Sequence, residues 1–406
     1  MDNGKAERIE KQIAWEHTRD HYPENYPALP EIPGGRYTSQ AFFDLEMAHI
    51  WRKSWLLACR ADEIPHAGQH KLFSRFGVGI IIVRGKDDVI RAFHNTCRHR
   101  GAPIIQGDGK RNLFTCGYHS WSYDLVGNLV AVPESQDFAG LDKCSRGLIP
   151  VRCEQWDGWV FVNLDDNAKP LLEEFAPLLP DLETLDMGSL KLKGRLSYTI
   201  NCNWKAALDA FLEAYHVSSI HKDSVAQLLD AKATDIGLFT GGHTRMSMAK
   251  RFNREGGTWG TDGANYDIAS VPRVFRENNM AYGMFPNFVA PFDSAGFPFI
   301  SFWPIDKGTS QLDLMIVGTG DEAENTENSE YWETFATNYD MIMKEDMQFL
   351  AGIQASLDSG AFTGMMLSYQ ERRIYWMHEE FDRRIGAENI PESLRVEQVL
   401  GSFVEG

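Results

Sequence analysis

Four side chains between positions 97 and 119 constrain this chain more than any other feature. Cys97 and His99 have one residue between them, so a single tight loop can present both as metal ligands. After sixteen intervening residues, Cys116 and His119 repeat the arrangement with two residues between them. Each loop offers one soft thiolate and one imidazole, and two such loops facing each other supply four ligands.

Two kinds of centre accept that set. Zinc takes two thiolates and two imidazoles in tetrahedral geometry. A Rieske centre gives both thiolates to one iron and both imidazoles to the other. Zinc fingers usually pair Cys with Cys and His with His, whereas each loop here mixes the two types. Mixed loops suit a binuclear centre, because each can reach both irons. Gly101 and Pro103 shape the first loop, Gly117 gives the second backbone freedom, and Trp121 and Tyr118 are placed to shield the centre from water.

The texture around this segment is that of strands. Lys71–Phe76, Gly79–Arg84 and Trp159–Asn163 are rich in β-branched and aromatic residues, and Gly127-Asn128 sits at the turn of a hairpin within Asp124–Val130. Residues 46–165 therefore read as an all-β domain. Before it, Lys5–Asp20 is helix-compatible and Pro23–Pro33 is a Pro-rich connector, so residues 1–45 form a separate N-terminal segment. Beyond it, residues 166–406 are mixed. Leu171–Leu182, Asn203–Ser218, Glu330–Leu357 and Tyr369–Arg384 read as helices, the last two long and amphipathic. Leu190–Ile200 and the segment Met284–Val317 read as strands.

Bulk composition excludes some partners. Asp plus Glu is 57 against 40 Lys plus Arg, a formal charge of −17, which repels a nucleic acid backbone. Apolar runs are as short as Val78–Val83, and the start of the sequence shows no apolar leader, so neither a membrane span nor secretion is expected. Six cysteines without a disulfide-like spacing fit a reducing, cytoplasmic setting. No Gly-rich dinucleotide loop follows a strand, so the chain is not expected to bind NADH itself.

A second constellation lies at Glu213-Ala-Tyr-His216 and His221. On a regular helix a step of five residues rotates about 140°, so His216 and His221 share a metal only if the helix ends or distorts near Val217-Ser-Ser. Two ordinary histidines near a helix end would give the same spacing.

Together, the C-x-H-x16-C-x2-H pattern flanked by Arg98-His-Arg-Gly-Ala and Tyr118-His-Ser-Trp, and Asn203-Trp-Lys followed by Glu213-x2-His216-x4-His221, resemble the catalytic alpha subunits of Rieske non-haem iron, ring-hydroxylating oxygenases. Met284-Phe-Pro-Asn and Trp303-Pro resemble strands of the same family, and the likeness runs from about residue 40 to 385. It implies an α+β fold, with an all-β Rieske domain and a helix-grip catalytic domain with a curved antiparallel sheet, the N-terminal segment packing on the latter. It implies a [2Fe–2S] cluster in each subunit on Cys97, His99, Cys116 and His119, and one mononuclear Fe(II) on His216, His221 and a distant acid. In Lys344-Glu-Asp-Met-Gln-Phe-Leu, Asp346 matches that acid, with Glu345 as the fallback. The resemblance gives Glu213 the role of a bridge to a Rieske histidine of the neighbouring subunit in a homotrimer, with or without a beta subunit. Asp209 stands where many relatives have Asn, and its role is open.

The activity implied is that of a terminal oxygenase, reduced by a ferredoxin or an NAD(P)H-dependent reductase, which activates O2 to hydroxylate an aromatic or other apolar small molecule. Arg98, Arg100, Lys110 and Arg111 form a basic neighbourhood suited to an acidic donor. The apolar stretch from 225 to 305 (Leu228, Leu229, Phe239, Trp259, Tyr266, Met280, Tyr282, Phe288, Phe292) offers candidates for a pocket wall. The same iron chemistry on a quaternary ammonium held in an aromatic cage is the alternative. A zinc-stabilised binding protein would leave Glu213, His216 and His221 a coincidence, and a pure electron carrier would leave the second domain without a purpose.

Overall fold

The computed structural model describes residues 1–251, 271–292, 296–319 and 326–405. They form two compact units, Arg52–Leu171 and Met1–Trp51 together with Leu172–Gly406.

Unit Arg52–Leu171 is all β. Its strands are β1 (Leu56–Arg60), β2 (Gln69–Arg75), β3 (Val78–Arg84), β4 (Ile90–His94), β5 (Gly109–Lys110), β6 (Phe114–Thr115), β7 (Ser122–Tyr123), β8 (Leu129–Ala131), β9 (Pro150–Trp156) and β10 (Trp159–Asn163). Seven make an antiparallel sheet in the order β1-β10-β9-β4-β3-β2-β5, and β6-β7-β8 make a second, small sheet. The β-branched run Ile80–Val83 is buried on both faces, and so is all of Trp159–Asn163, because both strands lie inside the sheet. The β7–β8 hairpin turns on Asp124, whose carboxylate accepts from Val126 N and Asn128 N. Gly127 there has φ +91°, and a Cβ would fall 2.6 Å from the Phe93 ring. The two ends of the unit are pinned together: Trp55 Nε1 donates to Lys169 O at 2.9 Å, and Asn163 Nδ2 to Lys53 O at 3.2 Å.

The other unit is built on an eight-stranded sheet: β11 (Lys191–Ile200), β12 (Leu229–Phe239), β13 (Thr244–Lys250), β14 (Asn278–Met284), β15 (Phe288–Phe292), β16 (Gly296–Asp306), β17 (Thr309–Gly318) and β18 (Val404–Glu405). The order is β11-β17-β16-β15-β14-β13-β12-β18, antiparallel except for β12–β18. Its helices include α1 (Asn3–Thr18), α2 (Gly35–Thr38), α3 (Gln40–Glu46), α4 (Trp204–Asp209), α5 (Val217–Ile220), α6 (Thr326–Asp358) and α7 (Arg372–Ile385). Helix α6 buries Trp332, Phe335, Tyr339, Ile342, Met343 and Leu350, the three-to-four-residue recurrence that sequence periodicity shows.

Three elements differ from the sequence reading. Leu171–Leu182 is two short turns, Leu171–Glu174 and Leu179–Leu182, because Pro177 and Pro180 interrupt the helical hydrogen bonds. Asn203–Ser218 is not continuous: α4 stops at Asp209, and the chain resumes helical form at Val217. Val217-Ser-Ser is thus a helical turn, and the break lies before it. Helix α7 is buried almost all round rather than solvated on one face. Residues near both ends of the described chain cover its polar side: Arg36 bonds to Asp382 at 2.6 Å, and Glu379 accepts from Val399 N and Leu400 N.

Candidate functional site

In the first pair of loops, Cys97 and Cys116 are free thiols buried in one core cluster with Phe114, Trp121 and Tyr123. Each loop is closed by its own backbone: Cys97 N donates to Ala102 O at 2.8 Å, and Cys116 N to Trp121 O at 2.9 Å. Gly101, at φ +76°, turns the first loop. In the second, the residue with positive φ is Ser120, not Gly117. The rings of His99 and His119 meet edge to face at 4.6 Å. Trp121 stacks on His99 at 4.9 Å and is buried, whereas Tyr118 packs on His119 but is 58% exposed, so Trp121 is the stronger shield.

This arrangement fits a cluster. His99 Nδ1 is buried with no hydrogen-bond partner among the described residues, and a metal satisfies such an atom. Burial, together with the neighbouring His119 and Arg100, holds His99 below its ordinary pKa, so it is a neutral ligand. The sequence reading missed Tyr123. Its hydroxyl accepts from Arg98 N at 2.9 Å and lies 3.4 Å from Cys97 Sγ, placed to donate to a thiolate.

In the second constellation, the α4–α5 break brings the two histidines to one side. His216 caps α5 at its N-terminal end and His221 at its C-terminal end, with ring centroids 5.1 Å apart. Glu213 produces the break. Its carboxylate accepts from Tyr215 N and His216 N, replacing the helical carbonyls those groups would otherwise use. The same carboxylate contacts His216 Nδ1. On α6, Asp346 Oδ1 faces both rings, 3.0 Å from His221 Nε2 and 3.5 Å from His216 Nε2. The three ligand atoms lie within 4.8 Å of one another.

Asp346 Oδ1 is buried without a hydrogen bond to any of the described residues, which suits a metal ligand. Glu345 stands on the other side of the ring, accepting from His221 Nδ1 and Ser224 Oγ, each at 2.6 Å. Glu213 and Glu345 therefore each fix a tautomer that leaves Nε2 free for a metal. Burial disfavours a charged His221, but Asp346 and Glu345 outweigh it and hold its pKa above the ordinary value. A divalent cation would take the place of that proton. Two imidazoles and one carboxylate leave open positions on an octahedral iron, the set used by non-haem Fe(II) oxygenases.

These residues border a cavity of about 110 Å³. Its walls include Phe211, Met246, Met248, Val289, Ile300 and Met343. Of the residues proposed from sequence, Leu229 lines it. Phe239, Met280, Tyr282, Phe288 and Phe292 are buried core instead, Leu228 is partly exposed away from it, and Trp259 and Tyr266 lie outside the described residues. Alternation along β13–β16 decides which side chains face the cavity, and sequence without a sheet register does not reveal it. Asp209 is buried behind this wall, bonded to Tyr37 Oη at 2.7 Å and outside the triad.

Comparison with known proteins places these features in a family. Residues 54–145 match the Rieske [2Fe-2S] domain, and residues 187–387 match the ring hydroxylating alpha subunit (catalytic domain). The chain is 36% identical over 206 residues to the carnitine monooxygenase oxygenase subunit of Escherichia coli K12, covering 49% of this chain and 55% of that protein. It is 38% identical over 191 residues to the biphenyl 2,3-dioxygenase subunit alpha of Rhodococcus jostii RHA1, covering 45% of this chain and 41% of that one. The matches thus span about half the length of these curated relatives. In fold it is similar to a quaternary ammonium Rieske monooxygenase bound to L-carnitine, with TM-score 0.72, 24% identity and coverage of 90% of this chain and 100% of that one. The naphthalene 1,2-dioxygenase of Rhodococcus sp. bound to indole gives TM-score 0.73 at 19% identity, covering 95% and 99%. With the two matches falling on the two metal-binding constellations, the chain belongs to the Rieske oxygenases with a ring-hydroxylating alpha-subunit catalytic domain, whose cofactors are a [2Fe–2S] cluster and a mononuclear iron.

Proposed function

We propose that this chain is a terminal oxygenase that accepts electrons at its Rieske cluster and hydroxylates an aromatic or other apolar small molecule with O2 at its mononuclear iron. The observation that carries this reading is the His216–His221–Asp346 group opening onto an apolar cavity. When bound, the cluster supplies single electrons and the iron binds and activates O2.

The chain's own residues do the rest. Cys97, Cys116, His99 and His119 would hold the cluster, thiolates on one iron and imidazoles on the other, while Trp121 keeps water from the ring it covers. His216, His221 and Asp346 would hold the mononuclear iron, with Glu213 and Glu345 orienting the imidazoles. The aliphatic and Met walls exclude water and orient the substrate by shape. A ferredoxin or reductase is the donor, docking near Arg98, Arg100, Lys110 and Arg111. A homotrimer lets Glu213 meet a Rieske histidine of a neighbouring subunit, and the six free thiols fit a cytoplasmic setting. Among the described residues, no helix is long and apolar enough to cross a membrane.

The cavity also bears on the substrate. Among the described residues that line it, the aromatic rings other than the two histidines are Phe211 and Tyr339, and none is Lys or Arg. A quaternary ammonium cage wants several ring faces, and a carboxylate-bearing cation wants a counter-charge. A neutral apolar substrate fits better, although the carnitine-acting relative keeps the quaternary ammonium as the second reading.

The test combines analysis and turnover. Iron and acid-labile sulfide are counted on protein that also gives a Rieske EPR signal after reduction, and turnover is screened with an aromatic hydrocarbon, an aromatic acid and a betaine. About three irons and two sulfides per chain are expected, with product from the aromatic compounds. Zinc without sulfide would overturn the reading, and turnover of the betaine alone would replace the substrate class. Glu213→Gln is expected to retain both metals and lose electron transfer between them.

A further inference from the structure

Asp209 ends helix α4, one residue before the cavity wall begins at Ala210. It is 7% exposed, and its two oxygens have different surroundings. Oδ2 accepts from Tyr37 Oη at 2.7 Å, while Oδ1 is buried with no hydrogen-bond partner among the described residues. An ionised carboxylate with one bare oxygen in such a place is costly, and a proton on that oxygen removes most of the cost.

Behind Tyr37 runs a chain of hydrogen bonds whose direction follows from chemistry. Arg36 Nε can only donate, and it lies 2.9 Å from His378 Nδ1, so Nδ1 is the acceptor. The proton of neutral His378 is then on Nε2, 2.9 Å from Tyr37 Oη. Nε2 donates to Tyr37, and Tyr37 donates to Asp209. Arg36 is held in turn by Asp382 Oδ1 at 2.6 Å and Leu394 O at 2.7 Å. Every donor points toward Asp209, so the chain delivers the polarisation of a buried guanidinium to one carboxyl oxygen.

The remaining charged groups pull both ways. Lys205, paired to Glu46 at 2.7 Å, favours the anion, as does the Tyr37 hydrogen bond. Glu371 and Glu213 oppose it, Cys202 is a thiol kept protonated by burial, and His378 is kept neutral by burial and by Arg36. Burial outweighs the donors and sets Asp209 at about 7.

We propose that Asp209 is a proton store behind the wall of the oxygenase site: Oδ1 carries a proton in the resting protein, and the Arg36–His378–Tyr37 chain stabilises the anion left when that proton departs. The use of the proton rests on the function proposed above. In monohydroxylation one oxygen atom of O2 enters a C–H bond and the other leaves as water, which consumes two electrons from the donor and two protons; Asp209 supplies one of these protons, is left as the carboxylate, and is reprotonated from solvent. Asp209 is outside the cavity lining and the triad, so it acts on the site through its proton and its charge and not by contact with a reacting atom. While neutral, it spares Glu213 a second buried negative charge.

Infrared difference titration of the full-length, metal-loaded protein tests this without substrate. The carbonyl stretch of a protonated carboxyl is followed from about pH 5 to pH 9. Wild type is expected to lose one such band with a midpoint near neutrality. Asp209→Asn should lack it, and in Tyr37→Phe the midpoint should rise by about one unit, because the anion has lost a donor. In the turnover profile, the limb with the same midpoint should vanish in Asp209→Asn and move with it in Tyr37→Phe. Absence of the band from wild type, or its persistence in Asp209→Asn, would overturn the store whether or not the enzyme turns over. A band that behaves as expected beside identical pH–rate profiles would overturn the use of the proton. Failure to oxygenate any substrate would count against the proposed function alone and leave the infrared result standing.

Discussion

Two adjacent acids take opposite sides of one histidine ring at the candidate iron site. Asp346 faces the Nε2 side of His221, and Glu345 the Nδ1 side of the same ring. Asp346→Asn is therefore expected to lose the mononuclear iron while keeping the cluster spectrum. Glu345→Gln should keep it with affinity lower by about 10–100-fold, the usual effect of removing such a supporting contact, as measured by metal competition. Asp346 was legible because it falls on the buried stripe of α6, three residues after Met343 and four before Leu350. The role of Glu345 was not, since its partner is 124 residues away and an acid on a helix gives no sign of it. Asp209 carries a second prediction. Its folded pKa, about 7, lies above the ordinary aspartate value of 3.8, because burial disfavours the anion. The native state then binds more protons than the unfolded state between those values, so stability falls as pH rises through that window and levels off above it. The loss is on the order of 4 kcal/mol at 1.36 kcal/mol per unit. Urea unfolding at several pH values should show this slope in wild type and a flatter one in Asp209→Asn.

Elements were readable where one periodicity ruled and unreadable where distant groups intervened. The strands of the Rieske unit and the long helices followed from alternation and from 3.6-residue recurrence. The α4–α5 break did not, because Ala210–His216 contains neither Gly nor Pro to signal it and is ended by the Glu213 side chain capping its own backbone. The polar face of α7 misled for a related reason. Its partners, such as Arg36 at a separation of 342 residues, are invisible to a local reading. Packing of α6 on the sheet gives a sharper test. At Gly318 a Cβ would fall 1.9 Å from the Trp332 ring, and a rigid indole packed in the core has little room to yield. Gly318→Ala is expected to cost about 1–3 kcal/mol, the range for overpacking a filled core, read by denaturant unfolding. An unchanged midpoint would mean that α6 shifts freely on the sheet.

At the scale of the whole molecule, an acidic chain of net charge −17 carries a small basic neighbourhood beside its cluster loops. Arg100 lies over the Tyr118 ring at 5.2 Å, and Lys110 and Arg111 are exposed. Charge reversal at Arg98 and Lys110 is expected to slow reduction by an acidic donor at low salt, with the difference shrinking as salt is added. Stopped-flow reduction measures it, and an unchanged rate would remove the docking role. Fold class and the two metal motifs were legible at this scale because ligand spacing reports chemistry directly. The cavity wall was not, since its residues come from five strands and two helical regions that meet only in three dimensions.

The pinned ends of unit Arg52–Leu171 bear on how the protein is made. The chain leaves one unit at Trp51 and returns to it at Leu172, so the Rieske unit is an insertion. A ribosome releases residues 1–51 first, yet their partners on α7 emerge more than three hundred residues later. The inserted unit, by contrast, is built from one continuous stretch of chain. During synthesis it can fold and take up its cluster while the flanking unit waits for its second half. The N-terminal segment is then the last part to lock, and nascent chains halted after about residue 200 should already carry a formed cluster.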